Sequence, residues 1–558
     1  MIPRTGIQRS LLWASSGAPL APPPGRPAEA PTEPQRRPEP ERARAVEAPA
    51  EAPAVAPAEV ATVHRAAHTV ATGRHPLART DQSARLFAYD SGVKDAFDRI
   101  EPTLRRVAGA LGQGDVVTAA QGIARAELGF DLPAPILDRA WVDGLDGRAL
   151  YAWAVFETAR READRFFADD PLGGRSDPAF DAVLHDCGFH TVDISPCADG
   201  RLAHVISQVL RLPYGCVRRR SHAGALFDIE DSVQKWVEVE MHRYREGLPT
   251  AAHRPTRYLK VVVYHTSESD PAAQGCAAHK GDTTAAARAG LERLHGFRQA
   301  VESGFCCGAS IDLLLVGLDT DSDAIRLHIP GRDGRIALDD PLDVRDFHAD
   351  TRHAGHALGD PEAAAAQWIR ERLAARGGAA PEDGMVRFCA RLVAGNLSQI
   401  DLVAAHHGGR YADIGHAERF IGLGIGFEEI QLRNLTYFAY LHTVEEGAAD
   451  LDVGVKVLGG LNAPRGLPVP AIVRFDYHGT VPGARDRAIE RARRTEAALH
   501  ARFPDLVAAG RLHTARMVRD CTVPGAALEV DGGTVHDTLT GTTLTGTTLT
   551  GTGGRTHA

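Results

Sequence analysis

From about residue 175 onward, apolar runs rich in β-branched residues alternate with helical patterns, and this alternation restricts the possible folds more than any other feature of the sequence. The run "RYLKVVVYHT", residues 257–266, is suited to a strand that is buried on both faces. A helical stretch at 287–304 separates it from a second such run, "SIDLLLVGLD", at 310–319. Strands that alternate with helices predict an α/β fold.

The order of strand, long helix and strand returns near the end of the chain, at 470–480, 484–504 and 510–521. An internal duplication would explain this repetition, although any βαβ unit has the same order.

The region that precedes the alternating strands and helices, before about residue 175, has helical character. The predicted fold therefore also has an α+β-like part. Apolar residues recur there at spacings of three and four and mark one face of a helix: Phe97, Ile100, Leu104, Val107 and Leu111. Pro102 falls inside this pattern, so the helix is expected to start or bend there. The stretch "GRALYAWAVFETARREADRFF" predicts another helix, and core packing explains both apolar faces.

The two ends of the 558-residue chain have compositions that do not support a packed core. Between Ala21 and Val60, 22 of 40 residues are Pro or Ala and none is aromatic, and near the C-terminus "TLTGT" occurs three times in tandem. We therefore predict five segments: a disordered arm (1–77), a helical N-terminal domain (78–172), a catalytic domain (173–420), a C-terminal domain (421–533) and a disordered tail (534–558).

Charge, hydropathy and cysteine usage exclude several classes of protein. The net charge is −9, which disfavours nucleic acid as a partner. No stretch approaches the ~18 consecutive apolar residues of a membrane span, so we expect no membrane insertion. The eight cysteines show neither a CxxC motif nor a framework spacing, which is typical of a reduced, intracellular chain.

A turn after one predicted strand carries three chemically useful side chains. In "DISPCADGRLAHVISQVLRL", Cys197, Asp199 and Arg201 occupy alternating positions between a strand and a helical pattern. Asp199 is a candidate base, and Arg201 can hold its carboxylate through a bidentate pair that fixes its orientation and keeps it ionised. If a metal site with three protein ligands is formed here, the pair also restrains the carboxylate from taking its fourth position.

His265 and Cys276 supply two further candidate metal donors. His265 lies at the outgoing end of a buried strand, and Cys276 follows 11 residues later in a loop of small residues. Because ligands of α/β sheets gather at the carboxyl ends of strands, both are expected to converge with Cys197. Two thiolates and one imidazole favour Zn²⁺, and three protein ligands leave a fourth position for water, as in catalytic zinc sites. We therefore predict one zinc ion per chain.

Simpler interpretations of these residues stay open. A C-x-D-x-R pattern occurs by chance in long proteins, so Cys197 can be a buried thiol and Asp199 with Arg201 an ordinary turn ion pair. His265 alone can be a histidine whose hydrogen bonds are satisfied at a strand end.

Two other clusters are given less weight. In "HADTRHAGHALGD", His348, His353 and His356 are better explained by a surface loop than by a metal site, because no carboxylate ligand stands at a set spacing. Cys306 and Cys307 are interpreted as small buried hydrophobic residues.

Five stretches carry a family resemblance: "CADGR", "VVVYHTSESDPAAQGC", "AGALFDIEDSVQKWVEVEMHRYREG", "VGLDTDSDAIRLHIP" and "YADIGHAERFIGLGIGFEEIQLRNLTYFAYLHTVEEGAADLDVGVKV". Across about 85–530 the sequence resembles the carboxysomal carbonic anhydrases of α-carboxysomes, a divergent relative of the β-class carbonic anhydrases. The interval of 11 residues from His265 to Cys276 departs from the H-x-x-C of ordinary β-class enzymes and is similar to the carboxysomal pattern.

The resemblance implies a helical N-terminal domain, a zinc-bearing catalytic domain like that of β-class enzymes, and a duplicated C-terminal domain without zinc. It implies that Cys197, His265 and Cys276 bind Zn²⁺ and that Asp199 and Arg201 form a dyad beside the metal. His416 in "DIGHAERF" is a candidate to line the same pocket; a capping or core histidine is the alternative.

The implied reaction is the interconversion of CO₂ and bicarbonate, which would supply CO₂ to Rubisco inside the carboxysome, a compartment within the cytoplasm. The segment "IQRSLLW" in the arm is apolar within a polar stretch and predicts a docking peptide for Rubisco or the shell; the alternative is a passive tail. A homo-oligomer, at least a dimer, is also expected. The rival functions are another zinc hydrolase and a non-enzymatic carboxysome scaffold.

Overall fold

The computed structural model describes residues 83–110, 116–169, 178–245, 257–305, 311–353, 359–377, 380–439 and 448–540. The N-terminal arm with the predicted docking peptide, and the chain after 540, lie outside this range. Two sheets flanked by helices, with a helical region in front, confirm the predicted α/β class.

The helical region begins the described chain with five helices: α1 Ser83–Asp98, α2 Ile100–Gly109, α3 Val116–Glu127, α4 Ala134–Asp143 and α5 Gly147–Asp169. Pro102 stands in the first turn of α2, so a new helix starts there, as the sequence allowed. The buried face of α5 shares a core with Phe420, Ile472 and Met517 of the second sheet. The helical region therefore packs on the C-terminal half of the chain.

Within the described ranges the first sheet has six strands: β1 Phe189–Pro196, β2 Arg218–Arg219, β3 Arg257–Thr266, β4 Ile311–Asp319, β5 Ile325–His328 and β6 Leu342–Asp343. Their spatial order is β2-β1-β3-β4-β5-β6, and the pairs among β1 to β4 are parallel whereas β5 and β6 pair antiparallel. All but one of the ten β3 residues are buried, which agrees with the continuous apolar run. The parallel strands bring their carboxyl ends to one edge.

Seven helices accompany this sheet in the described residues: α6 Pro178–Asp186, α7 Ile229–Arg245, α8 Pro271–Gln274, α9 Thr283–Phe305, α10 Val344–His353, α11 Pro361–Ala375 and α12 Asp383–His407. The long helix α9 packs on β3 and β4. Across all the residues that the structure describes, no helix combines the length and apolarity needed to cross a bilayer.

The segment after Cys197 differs from the expected regular helix. A 3-10 helix spans Gly200–Leu202 and a π-helix spans Val205–Val209. Residues 200–212 are all buried. Packing on every side, rather than one apolar stripe facing a core, therefore shapes this segment, and π-helical turns are frequent beside functional sites.

In the part of the chain that the structure describes, the second sheet has five strands: β7 Phe420–Ile425, β8 Thr436–Ala439, β9 Val469–Tyr477, β10 Leu512–Asp520 and β11 Glu529–Gly532. Its order is β11-β10-β9-β7-β8, and its helices are α13 Ala448–Asn462, α14 Ala484–Arg502, α15 Pro504–Ala508 and α16 Thr534–Thr540. The predicted strand, helix and strand between 470 and 521 are confirmed as β9, α14 and β10. Residues 534–540, which the sequence assigned to the disordered tail, form α16 instead, and Val535 is buried in the core.

Candidate metal centre

Three predicted donor residues meet at the carboxyl edge of the first sheet. Cys197 directly follows β1, and His265 is the penultimate residue of the parallel neighbour β3. Cys276 reaches the same point from the loop after α8. One donor atom of each residue lies within 4.8 Å of the others, and all three residues are buried. The structure therefore brings together the three candidate donors Cys197, His265 and Cys276.

The chemistry of this donor set fits a soft divalent cation. Neither ring nitrogen of His265 makes a hydrogen bond to any residue that the structure describes. The interaction between the two thiols raises the pKa of Cys197 well above its usual range and lowers the pKa of Cys276. A cation at this point would satisfy both sulfurs and the imidazole, whose combination favours zinc among the common metals.

Asp199 and Arg201 form the bidentate pair that the sequence predicted. Arg201 donates from Nε to Asp199 Oδ1 at 2.9 Å and from Nη2 to Oδ2 at 2.6 Å. Its Nη1 donates to the carbonyl oxygens of Gln274 at 2.6 Å and Ile414 at 3.1 Å. The guanidinium therefore fixes the carboxylate to the loop that carries Cys276.

The carboxylate of Asp199 stands beside the donors and is held ionised. Its Oδ2 lies 3.5 Å from His265 Nε2. Burial alone would raise the pKa of Asp199, but the charges of Arg201, His416 and His265 outweigh it and hold that pKa well below its usual range.

His416, the further candidate from the resemblance, lies beside Asp199. Its Nε2 is 3.8 Å from Asp199 Oδ2, and its Nδ1 is 2.9 Å from Glu418 Oε1. Burial alone would lower the pKa of His416, but Asp199 and Glu418 raise it to about 9. Its side chain is 24% exposed, whereas that of Asp199 is 6% exposed, so His416 stands between the buried carboxylate and solvent.

Comparisons with known proteins identify the family. Models of the carboxysome shell carbonic anhydrase N-terminal, catalytic and C-terminal regions match residues 75–167, 179–416 and 417–533. The carboxysome shell carbonic anhydrase of Parasynechococcus marenigrum (strain WH8102) is 54% identical over 85% of this chain and 82% of its own length. That of Halothiobacillus neapolitanus (strain ATCC 23641 / c2) is 44% identical over 78% of this chain and 86% of its own length.

The chain belongs to the carboxysome shell carbonic anhydrase family. This membership confirms the family resemblance and the prediction of an enzyme of the carbonic anhydrase type.

Two residues near the candidate metal centre, Glu418 and Tyr437, were not predicted from the sequence. Glu418 is fully buried, and its Oε1 accepts a hydrogen bond from Gly200 N at 3.1 Å. Tyr437 of β8 is 2% exposed, and burial, together with the nearby charges of Cys197 and Asp450, raises the pKa of its hydroxyl well above the usual range. The spacing of two residues between His416 and Glu418 could have pointed to Glu418, whereas no sequence pattern singled out Tyr437.

A cavity of about 490 Å³ reaches His416 and Glu418 from outside the first sheet. The helical region supplies Glu101 and Tyr151 to its wall, and the end of α13 and the turn after it supply Asn462 and Arg465. The family's three regions thus meet at this cavity.

The structure describes only one side chain of the two other clusters considered from the sequence, that of His348. His348 is bonded to Asp401 at 2.9 Å, and the structure does not describe the side chains of His353 and His356 or the pair Cys306 and Cys307. The donor sets found among the described residues do not include His348.

The corresponding edge of the second sheet carries paired charges. Arg474 donates to Glu429 at 2.7 Å and to both oxygens of Asp476 at 2.7 and 2.9 Å. Arg519 donates to Asp476 Oδ2 at 2.9 Å. These four side chains, each at most 7% exposed, occupy the ends of β9 and β10 and the turn after β7.

Proposed function

We propose that the chain is a zinc-dependent carbonic anhydrase that interconverts CO₂ and bicarbonate and supplies CO₂ to Rubisco within the carboxysome. The family gives the carbonic anhydrase activity and the compartment. The zinc dependence is supported by one observation: the thiols of Cys197 and Cys276 and the imidazole of His265 converge beside the paired carboxylate of Asp199.

Cys197, His265 and Cys276 would hold the ion. When bound, Zn²⁺ supplies a water of lowered pKa, about 7, and therefore hydroxide at neutral pH. Asp199 Oδ2 would accept the proton that is released, because it faces the donor set and is ionised. Arg201 keeps this carboxylate away from the metal by holding both of its oxygens.

Each hydration of CO₂ leaves one proton that must reach solvent. Asp199 is buried and cannot release it directly. His416 is the next titratable side chain outward, and its Nε2 lies 3.8 Å from Asp199 Oδ2, a gap that a small ring movement or one water molecule would bridge. We assign His416 as the residue that carries the proton to the cavity.

The test is stopped-flow CO₂ hydration on the purified full chain, with zinc per chain measured on the same sample. Fast turnover with about one zinc per chain is expected. Bound zinc without CO₂ hydration would favour a different zinc hydrolase. The absence of both zinc and turnover would mean that Cys197, His265 and Cys276 are ordinary buried side chains, and it would favour a non-enzymatic carboxysome scaffold.

Delivery of CO₂ to Rubisco requires that the enzyme be held near Rubisco, and the N-terminal arm, which lies outside the described residues, is the candidate segment for this. We propose that its "IQRSLLW" segment docks on Rubisco or the shell. Deletion of residues 1–75 should abolish co-sedimentation with these partners and leave CO₂ hydration unchanged. Undiminished co-sedimentation would refute the docking role.

We also propose that the chain forms a homo-oligomer, at least a dimer, as the relationship to β-class enzymes suggests. Sedimentation equilibrium of the full chain should give at least twice the 59.7 kDa of one chain. A monomer at micromolar concentration would contradict this.

A further inference from the structure

The carboxylate of Glu418 is fully buried and serves two partners with one oxygen. Its Oε1 accepts from the backbone N–H of Gly200 at 3.1 Å and lies 2.9 Å from His416 Nδ1. Its Oε2 has no hydrogen-bond partner among the described residues. A buried polar side chain usually costs stability unless its hydrogen bonds are satisfied, so the position of Glu418 beside the dyad points to a functional role.

The catalytic loop leaves space for this carboxylate. A Cβ atom on Gly200 would lie 2.5 Å from Glu418 Cγ and 2.6 Å from its Oε1. Gly200 stands between Asp199 and Arg201, so the side chain of Glu418 packs directly on the backbone of the dyad. The contact joins residues 218 positions apart in the chain.

We propose that Glu418 is a positioning residue for proton transfer, which holds the ring of His416 through Nδ1 so that Nε2 faces Asp199. This inference rests on the proposed function. A carboxylate that accepts from Nδ1 fixes the tautomer, because Nδ1 then keeps its hydrogen and Nε2 becomes the exchanging atom. The protonated ring first gives its Nε2 proton to a water or buffer molecule in the cavity, and the free Nε2 then takes the proton from Asp199 Oδ2, with no other bond changed.

The surroundings of His416 favour this direction of transfer. The charged and titratable groups that face the ring or line the cavity are Asp199, Arg201, Glu418, Arg419, Asp98, Glu101, Arg105, Tyr151 and Arg465. Several of the cavity charges pair among themselves: Arg419 with Asp98, and Glu101 with both Arg105 and Arg465. The two carboxylates nearest to the ring therefore dominate its protonation.

The decisive variant is Glu418→Gln, which keeps the size of the side chain and removes its charge. Proton release follows bicarbonate release, so it enters kcat and not kcat/KM for CO₂. In weak buffer we expect kcat to fall about 10-fold, in the range found for outer partners of functional histidines, with kcat/KM nearly unchanged. Added imidazole buffer should restore kcat, because a diffusing base replaces the misplaced ring.

Three control measurements accompany this variant. His416→Ala should show the same loss and the same rescue, and the double variant should be no worse than either single one. Asp401→Asn removes a carboxylate from another histidine pair, His348 at 2.9 Å, and should leave kcat unaltered.

A measurement without turnover separates this inference from the proposed function. Diethylpyrocarbonate labelling of His416, followed by mass spectrometry across pH on the zinc-loaded protein, should show a lower ring pKa in Glu418→Gln than in the wild type. If the wild-type protein binds zinc but does not hydrate CO₂, the proposed function fails while this shift still appears.

Two results would overturn the inference. A parallel loss of kcat and kcat/KM in Glu418→Gln, without rescue by imidazole, would mean that Glu418 only supports the loop. A second equivalent of metal in the wild type that disappears in Glu418→Gln would mean that Asp199, His416 and Glu418, whose donor atoms lie within 4.8 Å, hold an ion instead.

Discussion

Replacing Gly200 by alanine tests the packing of the dyad against the C-terminal segment. The backbone of Gly200 does not lie in the left-handed region, so only space opposes a side chain. The new Cβ would be 2.5 Å from Glu418 Cγ and 2.8 Å from the carbonyl oxygen of Thr436, where ordinary contacts begin at 3.4 Å. The carbonyl of Thr436 is part of the backbone of β8 and cannot move easily, so the side chain of Glu418 must move instead. The difference between the 2.5 Å contact and the ordinary 3.4 Å contact is about 0.9 Å. That movement breaks its 3.1 Å bond to Gly200 N and disturbs its contact with His416.

The expected cost has two parts. Overpacking of a buried site costs about 1–3 kcal/mol of unfolding free energy. A misplacement of about 1 Å in a catalytic array costs up to about 100-fold in rate, so turnover should fall by between about 10-fold and 100-fold while the metal content stays at the wild-type value.

Stopped-flow CO₂ hydration, metal analysis and thermal unfolding on the same preparation check this prediction. Gly122→Ala is the matched control, because it is an exposed helix position with nothing within 4 Å of the new Cβ. It should keep wild-type turnover and gain up to about 1 kcal/mol of stability. Wild-type turnover and stability in Gly200→Ala would refute the close contact between Glu418 and the dyad.

Four further outcomes are expected. Asp199→Ala should lower turnover by about 10²- to 10⁴-fold while the metal content stays at the wild-type value; undiminished hydration would sink its role as base. Cys197→Ala should lose both metal and activity, and full metal content by atomic absorption would contradict its role as ligand. Glu429→Gln should destabilise the chain by about 3 kcal/mol in chemical denaturation, because Arg474 is fully buried and loses one of its two carboxylate partners. His416, whose pKa Asp199 and Glu418 raise from 6.5 to about 9 against the effect of burial, should stabilise the fold fully below about pH 6.5 and lose that contribution as the pH rises through 9. Denaturation of wild type and His416→Asn between pH 6 and 10 measures this loss, and parallel curves would exclude it.

The donors were predictable because each depends on local sequence. The runs that became β1 and β3 are long and apolar, and Cys197 and His265 stand where those strands end, so the rule that ligands gather at the carboxyl ends of strands placed them near each other. The bidentate pair followed from a spacing of two residues between Asp199 and Arg201.

The rest of the site depends on contacts between distant parts of the chain, which spacing does not encode. Glu418 packs on Gly200 only because the chain folds back over the edge of the first sheet. Tyr437 looks like any strand aromatic until Gly454 of α13 is seen against its ring, where a Cβ would lie 2.5 Å from Cδ1. The 3-10 and π-helical turns after Cys197 likewise reflect burial on all sides rather than a local preference.

The C-terminal segment has one more consequence for how the enzyme behaves in solution. Asp450 bonds to the backbone of Ala223 at 2.6 Å, beside the strand end that carries Cys197, and Glu418 reaches Gly200 from the same side. Asp450 and Glu418 belong to the same polypeptide as the three candidate donors. Their effective concentration at the candidate metal centre therefore does not depend on the protein concentration. Specific activity should therefore persist on dilution below the concentration at which any oligomer dissociates.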